Sequence, residues 1–314
     1  MDKKIPLVIV AGATASGKTS LGIELAKAFG GEVISCDSMQ IYKNLDIGTA
    51  KPTLEETDGI PHHMIDIASP TESYSVERYC TCAHAIIRDV YSRGKLPIMV
   101  GGTGLYADNT VYATTFSAPV RDETLSKELL DYAATHGNEA LYEILLNEDP
   151  EKARTLHPND VKRIIRAIET KRSTGKTRSE LDRESRPAES PYDFLYIAID
   201  MERSLLYERI EKRVDIMIED GLLKEVEAYI LPHLKEMSTA AMAIGYREVI
   251  WYFNGLCTYD EMVALLKRNT RRYAKRQLTW FRKNPDINWI AYNDLPHKAA
   301  DLIENKFNLK GLNK

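Results

Sequence analysis

Apolar residues recur along this chain in two rhythms. Short runs at 7–10, 32–36, 96–100 and 194–199 have the length and β-branched content of strands buried in a sheet. Between the first two, residues 20–29 carry Leu21, Leu25, Ala28 and Phe29 at helical spacing. Strand, helix, strand in that order implies a parallel sheet with right-handed crossovers, covered by helices on both faces. From about residue 116 to 190 the texture changes to polar helical pattern without a β-rich run. Helices are predicted there at 122–135, 138–147 and 160–173, the last with Val161, Ile164, Ile165 and Ile168 on one face. The sheet pattern then resumes, with helices at 204–220, another ending near Leu231, one at 260–282, and a last strand at 287–292. The organisation expected is a core begun by residues 1–115, a helical insertion subdomain at 116–190, and a core continuation with a basic helical end at 191–314.

Composition narrows the class. With 314 residues, 44% hydrophobic and 28% charged, the chain buries a full core and is not disordered. Its four cysteines, Cys36, Cys80, Cys82 and Cys257, are too scattered for a disulfide framework or a structural zinc site. His62-His63 lack the further ligands a metal needs. The opening MDKKIPLVIV reads as a first strand, neither signal peptide nor membrane span, so a cytoplasmic protein is expected.

Candidate chemistry starts where that strand ends. Gly12, Ala13, Thr14, Ala15, Ser16, Gly17, Lys18 and Thr19 match GxxxxGK[ST] between a predicted strand and a predicted helix. Such a loop turns its amides inward, the helix N-terminus adds positive potential, Lys18 neutralises phosphate oxygens, and the Thr19 hydroxyl suits Mg²⁺. The expected fold class is therefore α/β, a P-loop NTPase-like parallel sheet with helices on both faces and an inserted, mainly helical subdomain.

Asp37 follows the second strand and emerges beside the loop, at the edge where ligands of open α/β sheets collect. A carboxylate there can take a proton from a nucleophile while a diphosphate leaves, and Gln40 is the side-chain type that pairs with adenine. Gly101-Gly102-Thr103-Gly104 ends another strand and reaches the same edge, either for close backbone approach or as a plain turn. Arg209 and Arg213 share a helix face; each suits a diphosphate or an ion pair with Glu208 or Asp215.

Charge is segregated. Against a net −4, residues 152–178 carry nine Lys/Arg and two acids, +7, and residues 267–283 carry eight Lys/Arg and no acid. Tyr273, Trp280 and Phe281 interleave the second window. Basic residues with aromatics suit phosphate contact plus base stacking, although one such window is often a solvated helix face.

These motifs together resemble the bacterial tRNA dimethylallyltransferases (isopentenyl-diphosphate:tRNA transferases). The similar stretches are GATASGKT (12–19), DSMQIYKNLDIGTAKP (37–52), PHHMID (61–66), GGTGLY (101–106), HPNDVKRIIRAIE (157–169), ERIEKRVDIM (208–217), IGYREV (244–249) and KRQLTWFR (275–282). The resemblance implies transfer of the dimethylallyl group from dimethylallyl diphosphate, held by the P-loop with Mg²⁺ at Thr19, to N6 of the adenosine 3′-adjacent to the anticodon. It implies catalysis by Asp37, with Thr103 and Arg213 assisting. It gives the target base to Asp37, Ser38, Met39, Gln40 and Thr103, and the tRNA anticodon stem-loop to Lys162, Arg163, Ile164, Ile165, Arg166, Lys275, Arg276, Gln277, Trp280 and Arg282. A monomer is expected. The chain departs from the family pattern at Ser126, where arginine is usual, at Met242, where Gln or Arg is frequent, and at 107–115, where an apolar helix is usual. The first two each remove a possible RNA contact. Rival readings are an ATP-dependent small-molecule kinase and a non-catalytic P-loop RNA-binding protein.

Overall fold

The structure, a computed structural model, describes residues 4–116, 122–185, 187, 189–237 and 239–311. Residues 1–3, read above with the first strand, and residues 117–121 of the expected insertion lie outside the described residues. The chain divides into two compact units, Met1–Val111 with Pro191–Lys314, and Tyr112–Ser190.

The first unit opens with β1 (Ile5–Ala11), α1 (Lys18–Phe29), β2 (Gly31–Ser35), α2 (Leu54–Thr57), β3 (His62–His63), α3 (Val76–Ser92), β4 (Leu96–Gly101) and α4 (Gly104–Val111). The second unit holds α5 (Glu123–His136), α6 (Asn138–Glu148), α7 (Pro150–Ala153), α8 (Val161–Thr174) and α9 (Arg178–Glu184). The first resumes with β5 (Tyr192–Asp200), α10 (Arg203–Glu219), α11 (Leu222–Glu225), a π-helical turn Val226–Ile230, α12 (Tyr246–Phe253), α13 (Tyr259–Phe281), β6 (Ile287–Ala291) and α14 (His297–Phe307).

The six strands form one sheet in the order β3-β2-β4-β1-β5-β6, and every pairing is parallel. No residue from Leu7 to Ala11 is more than 1% exposed, so successive side chains of β1 are covered on opposite faces. On one face Val8, Val10, Val33, Ile98 and Ile197 pack with Leu21 and Leu25 of α1 and Ala299 and Ile303 of α14. On the other, Tyr196 meets Phe281 of α13 edge to face. All strand C-termini lie along one edge of this parallel sheet, which places the loops after β1, β2 and β4 together.

The second unit has its own core, in which Leu129, Leu141, Leu145, Ile164, Ile165 and Ile168 pack together. Two expectations are corrected here. Ile164 and Ile165, assigned to tRNA, are 0% and 4% exposed and hold this core. Ser126 is buried and its hydroxyl donates to Glu169, so its position faces the interior. In the first unit the segment after GGTGLY is helical through Val111 despite its polar residues, with Tyr106, Ala107 and Val111 buried.

Candidate active site

The P-loop leaves β1 at Ala11 and closes on α1. Ala15 and Gly17 take positive φ (62° and 95°), which turns the loop back on itself. Lys18 Nζ donates to Ala13 O at 2.7 Å, and Arg209 Nε of α10 donates to Ala15 O at 2.8 Å. Arg209 is therefore a strut of the loop.

The loop after β2 is tied to the loop after β4. Cys36 N donates to Val100 O at 2.7 Å, and Thr103 N donates to Cys36 O at 3.2 Å. Asp37 Oδ1 accepts Met39 N at 2.8 Å, and Ser38 N donates to Thr103 Oγ1 at 3.1 Å. Asp37 and Thr103 are thus presented by one hydrogen-bonded pair of strand ends.

The glycines of GGTG serve close packing. A Cβ on Gly101 would stand 2.0 Å from Cys36 O, one on Gly102 2.2 Å from Gln277 Nε2, and one on Gly104 2.3 Å from Trp280 Cδ1. Gln277 of α13 accepts Thr14 N at 2.8 Å and donates to Gly102 O at 2.9 Å. It is 6% exposed, so this residue, expected at the tRNA, instead bolts the P-loop to the GGTG loop. Gln40 is likewise spent: its Oε1 accepts Ser35 Oγ at 2.8 Å and its Nε2 donates to Ala50 O at 3.1 Å. Its amide stabilises the loop at 49–50 and has no free pair of groups for adenine. Trp280 Nε1 donates to Asp108 at 2.7 Å while the side chain stays 40% exposed.

Asp37 opens into a cavity of about 310 Å³, at the small end of ligand-site volumes. Thr14, Ser38, Arg213, Thr270, Tyr273 and Arg276 share its polar lining, and Ile210, Val214, Met217, Met242, Ile244 and Leu266 form an apolar wall. Burial lowers the Arg213 pKa, and the negative charge of Asp37 opposes that shift. Burial and then the Arg213 charge push Lys18 down to about 8, with Asp37 pulling the other way. Two desolvated cations and one carboxylate therefore feel one another, a net positive site suited to a polyanion. Burial and then the charge of Asp37 raise the pKa of the Tyr273 phenol, with the nearby Thr103 side chain opposing, so it stays protonated. The Arg276 guanidinium lies 5.6 Å from the Tyr273 ring centroid.

Thr19 lies half-buried in the first turn of α1, and the Ser16 hydroxyl is buried with no hydrogen-bond partner among the described residues. Among those residues no group of three His, Cys, Asp or Glu gathers to hold a metal. One hydroxyl beside a phosphate loop fits a magnesium ion that keeps water and phosphate oxygens as its other ligands. His63 Nε2 bonds Glu32 at 2.7 Å, and His62 Nδ1 meets Ile60 O at 2.8 Å, so the histidine pair finishes a sheet edge.

Lys162 and Arg163 of α8 are exposed, whereas Arg166 is half-buried against Glu169 at 3.3 Å. Lys275, Arg276 and Arg282 are exposed on or just past α13. Tyr273 was overlooked as a site residue; its spacing of four and seven from Gln277 and Trp280 puts all three on one helix face, and that periodicity was the available signal.

Phosphate loop, acceptor carboxylate and apolar pocket at one sheet edge define a P-loop transferase of an apolar group carried on a phosphate. Comparison with known proteins narrows this. The IPP transferase family model matches residues 40–284, and the isopentenyl transferase model matches residues 5–72. The tRNA dimethylallyltransferase of Bacillus pumilus is 47% identical over 98% of both chains. That of Geobacillus thermodenitrificans is 47% identical over 98% of this chain and 96% of its own. The crystal structure of tRNA isopentenylpyrophosphate transferase from Bacillus halodurans superposes with TM-score 0.71 at 40% identity, covering 97% and 99% of the two chains. A eukaryotic dimethylallyltransferase acting on tRNA gives TM-score 0.80 at 30% identity, covering 98% of this chain and 81% of its own. The chain belongs to the tRNA dimethylallyltransferase (IPP transferase) family. Among the described residues, no helix is long and apolar enough to cross a membrane.

Proposed function

We propose that this protein transfers the dimethylallyl group of dimethylallyl diphosphate to the exocyclic N6 amine of the adenosine 3′-adjacent to the anticodon in tRNA. The observation that carries the reading is that Asp37, Arg213 and an apolar wall line one cavity. The diphosphate belongs at the P-loop amides with Lys18 and Arg213, and the five-carbon group belongs against Ile210, Val214 and Met217. Magnesium, held at Thr19, would add charge against the leaving diphosphate.

The adenine amine is a weak nucleophile because its lone pair is delocalised into the ring. As the nitrogen–carbon bond forms, Asp37 takes the amine proton; as the carbon–oxygen bond breaks, its electron pair leaves with diphosphate. Lys18 and Arg213 meet the charge developing on that leaving group. The Ser38 amide fixes the Thr103 hydroxyl beside the reacting centre, with the Tyr273 phenol near it. The exposed cations on or just past α13 suit the RNA backbone, and the target base must leave its stack to reach Asp37.

The test is to incubate protein, magnesium, labelled dimethylallyl diphosphate and unmodified tRNA without ATP. Label should reach the tRNA, and Asp37→Ala should cut the rate by about 100- to 10,000-fold. Absence of transfer, with ATP-dependent phosphorylation of a small acceptor instead, would favour the kinase reading and sink this one.

A further inference from the structure

Two stretches of backbone line the cavity, Gly48, Thr49 and Ala50, and Ala243, Ile244 and Gly245, and they lie side by side, a Cβ on Gly245 falling 3.7 Å from Gly48 O. Neither is part of a strand or an α-helix, so something else must fix their separation. Glu225, the last residue of α11, is 7% exposed and stands behind both. Its Oε2 accepts Asp46 N and Ile47 N, each at 2.7 Å. Its Oε1 accepts Gly48 N at 3.0 Å and the Tyr246 hydroxyl at 2.8 Å.

Three successive amides turned toward one anion form a nest, usually built to receive a phosphate or another free anion. Here the protein's own carboxylate occupies it, and the four donors are neutral groups. Oε1 reaches both stretches at once, Gly48 on the first and Tyr246, next to Gly245, on the second. Tyr246 is 0% exposed, and a Cβ on Gly48 would fall 2.3 Å from its ring. The contact is thus at its closest packing, and the carboxylate holds it shut. Directly after Glu225 the helix widens into the π turn Val226–Ile230, an irregularity frequent where a helix serves a site.

We propose that Glu225 is a positioning residue that sets the spacing of these two walls and, through it, the fit of the prenyl donor. The proposal rests on the donor reading above. It predicts a change in donor affinity without a matching change at the tRNA, because the two walls share the cavity with Ile210, Val214 and Met217, where the donor's five-carbon group belongs, while Glu225 itself does not line it.

The experiment measures donor binding by calorimetry and steady-state transfer with dimethylallyl diphosphate varied at saturating tRNA. Glu225→Ala should raise donor Kd and KM about tenfold or more, with tRNA KM changed less than about twofold. Acetate or formate, which can re-enter the emptied nest, should recover part of the loss, while chloride at equal ionic strength should not. Tyr246→Phe keeps the carboxylate and its three amides and should raise donor KM by only about threefold. Unchanged donor Kd in Glu225→Ala overturns the proposal, as does a loss confined to kcat or to the folded fraction and indifferent to acetate. Should Glu225→Ala not fold, Glu225→Gln and Tyr246→Phe make the same comparison, and unchanged donor Kd in both overturns it. A wild type that binds the donor but transfers nothing sinks the transfer reading, and the clamp is then decided on affinity alone.

Discussion

The two basic windows look alike as strings of letters and differ as surfaces. In residues 152–178, Lys152 and Arg178 pair with Asp182, Arg172 with Glu148, Lys176 with Glu184, and Arg166 with Glu169, all at 2.7–3.3 Å. Three of these acids, Glu148, Asp182 and Glu184, lie outside the window, so a local charge count does not register them. In residues 267–283 only Lys267 and Arg271 find acid partners among the described residues, Asp215 and Glu211 of α10. The inner faces differ as well. That of α8 is Ile164, Ile165 and Ile168 in a closed core, whereas that of α13 carries Tyr273, Gln277 and Trp280 to the loops of the site. A cationic helix therefore points to a ligand when its charges lack local partners and its inner face ends on a site.

The strongest way to break this contrast is to uncouple α13 from the loops. Gln277→Leu leaves Thr14 N and Gly102 O without their partner, and each orphaned group costs about 1–3 kcal/mol. Transfer should fall on the order of 100-fold, with donor affinity falling in parallel. The matched change in α8, Ile164→Ala, should cost about 2–5 kcal/mol of stability in thermal melts of the second unit's core, with donor affinity held. Equal losses of donor binding in the two variants would erase the distinction. A smaller change on the same face, Tyr273→Phe, removes only the phenol hydroxyl beside Thr103. It should lower kcat/KM by about tenfold at an unchanged melting temperature; full activity would show that Thr103 needs no support from α13.

Much of this was legible in the sequence, for reasons that mark where legibility stops. The β strands buried on both faces announced themselves as apolar runs, and the P-loop stood between a strand and a helix as its spacing requires. Helix α3 is absent from the elements read above although Tyr79, Cys80, Ala83, Ile87 and Val90 recur at helical spacing on its buried face, so the period was present and only the mixed aromatic, thiol and small residues obscure it. The strand β3 is two histidines long, too short for any period. Side-chain type also misled at Gln40, the right chemistry for a base, whose amide is taken up by the Ser35 hydroxyl and the backbone of a turned loop; the amide of Gln277, which the resemblance gave to tRNA, is taken up by backbone from distant segments. Such bonds form only after folding joins residues as far apart as Thr14 and Gln277, and no local pattern encodes them.

Salt dependence sharpens the contrast at the level of charge. Replacing Lys275, Arg276 and Arg282 by Ala should weaken tRNA binding and reduce the slope of log affinity on log salt by about 2–3. Replacing Lys152, Arg172 and Lys176, each already paired within the second unit, should change that slope by less than about one. Filter binding across a salt series decides between them, and equal slopes would mean that ion pairing does not withhold a cation from RNA.

Lys18 is a third kind of cation, neither paired on a surface nor free on one. Burial and the Arg213 charge hold its pKa near 8 against an ordinary 10.5, with Asp37 opposing. Below the lower value both folded and unfolded chains carry the proton, and the fold bears the full cost of a desolvated charge. Between the two values the unfolded chain still binds a proton that the folded chain has released, so stability rises with pH across that window. Lys18→Met should therefore melt higher than wild type at about pH 7, with the gap narrowing as the pH approaches that of a free lysine. An anion at the P-loop reverses the balance by restoring the counter-charge. Pyrophosphate binding above the folded pKa should take up a proton, read as a dependence of the calorimetric heat on buffer ionisation enthalpy, and Lys18→Met should abolish it. A melting gap that stays flat across the window would show that Lys18 is solvated in the folded chain, and the buried cation would then join the exposed ones.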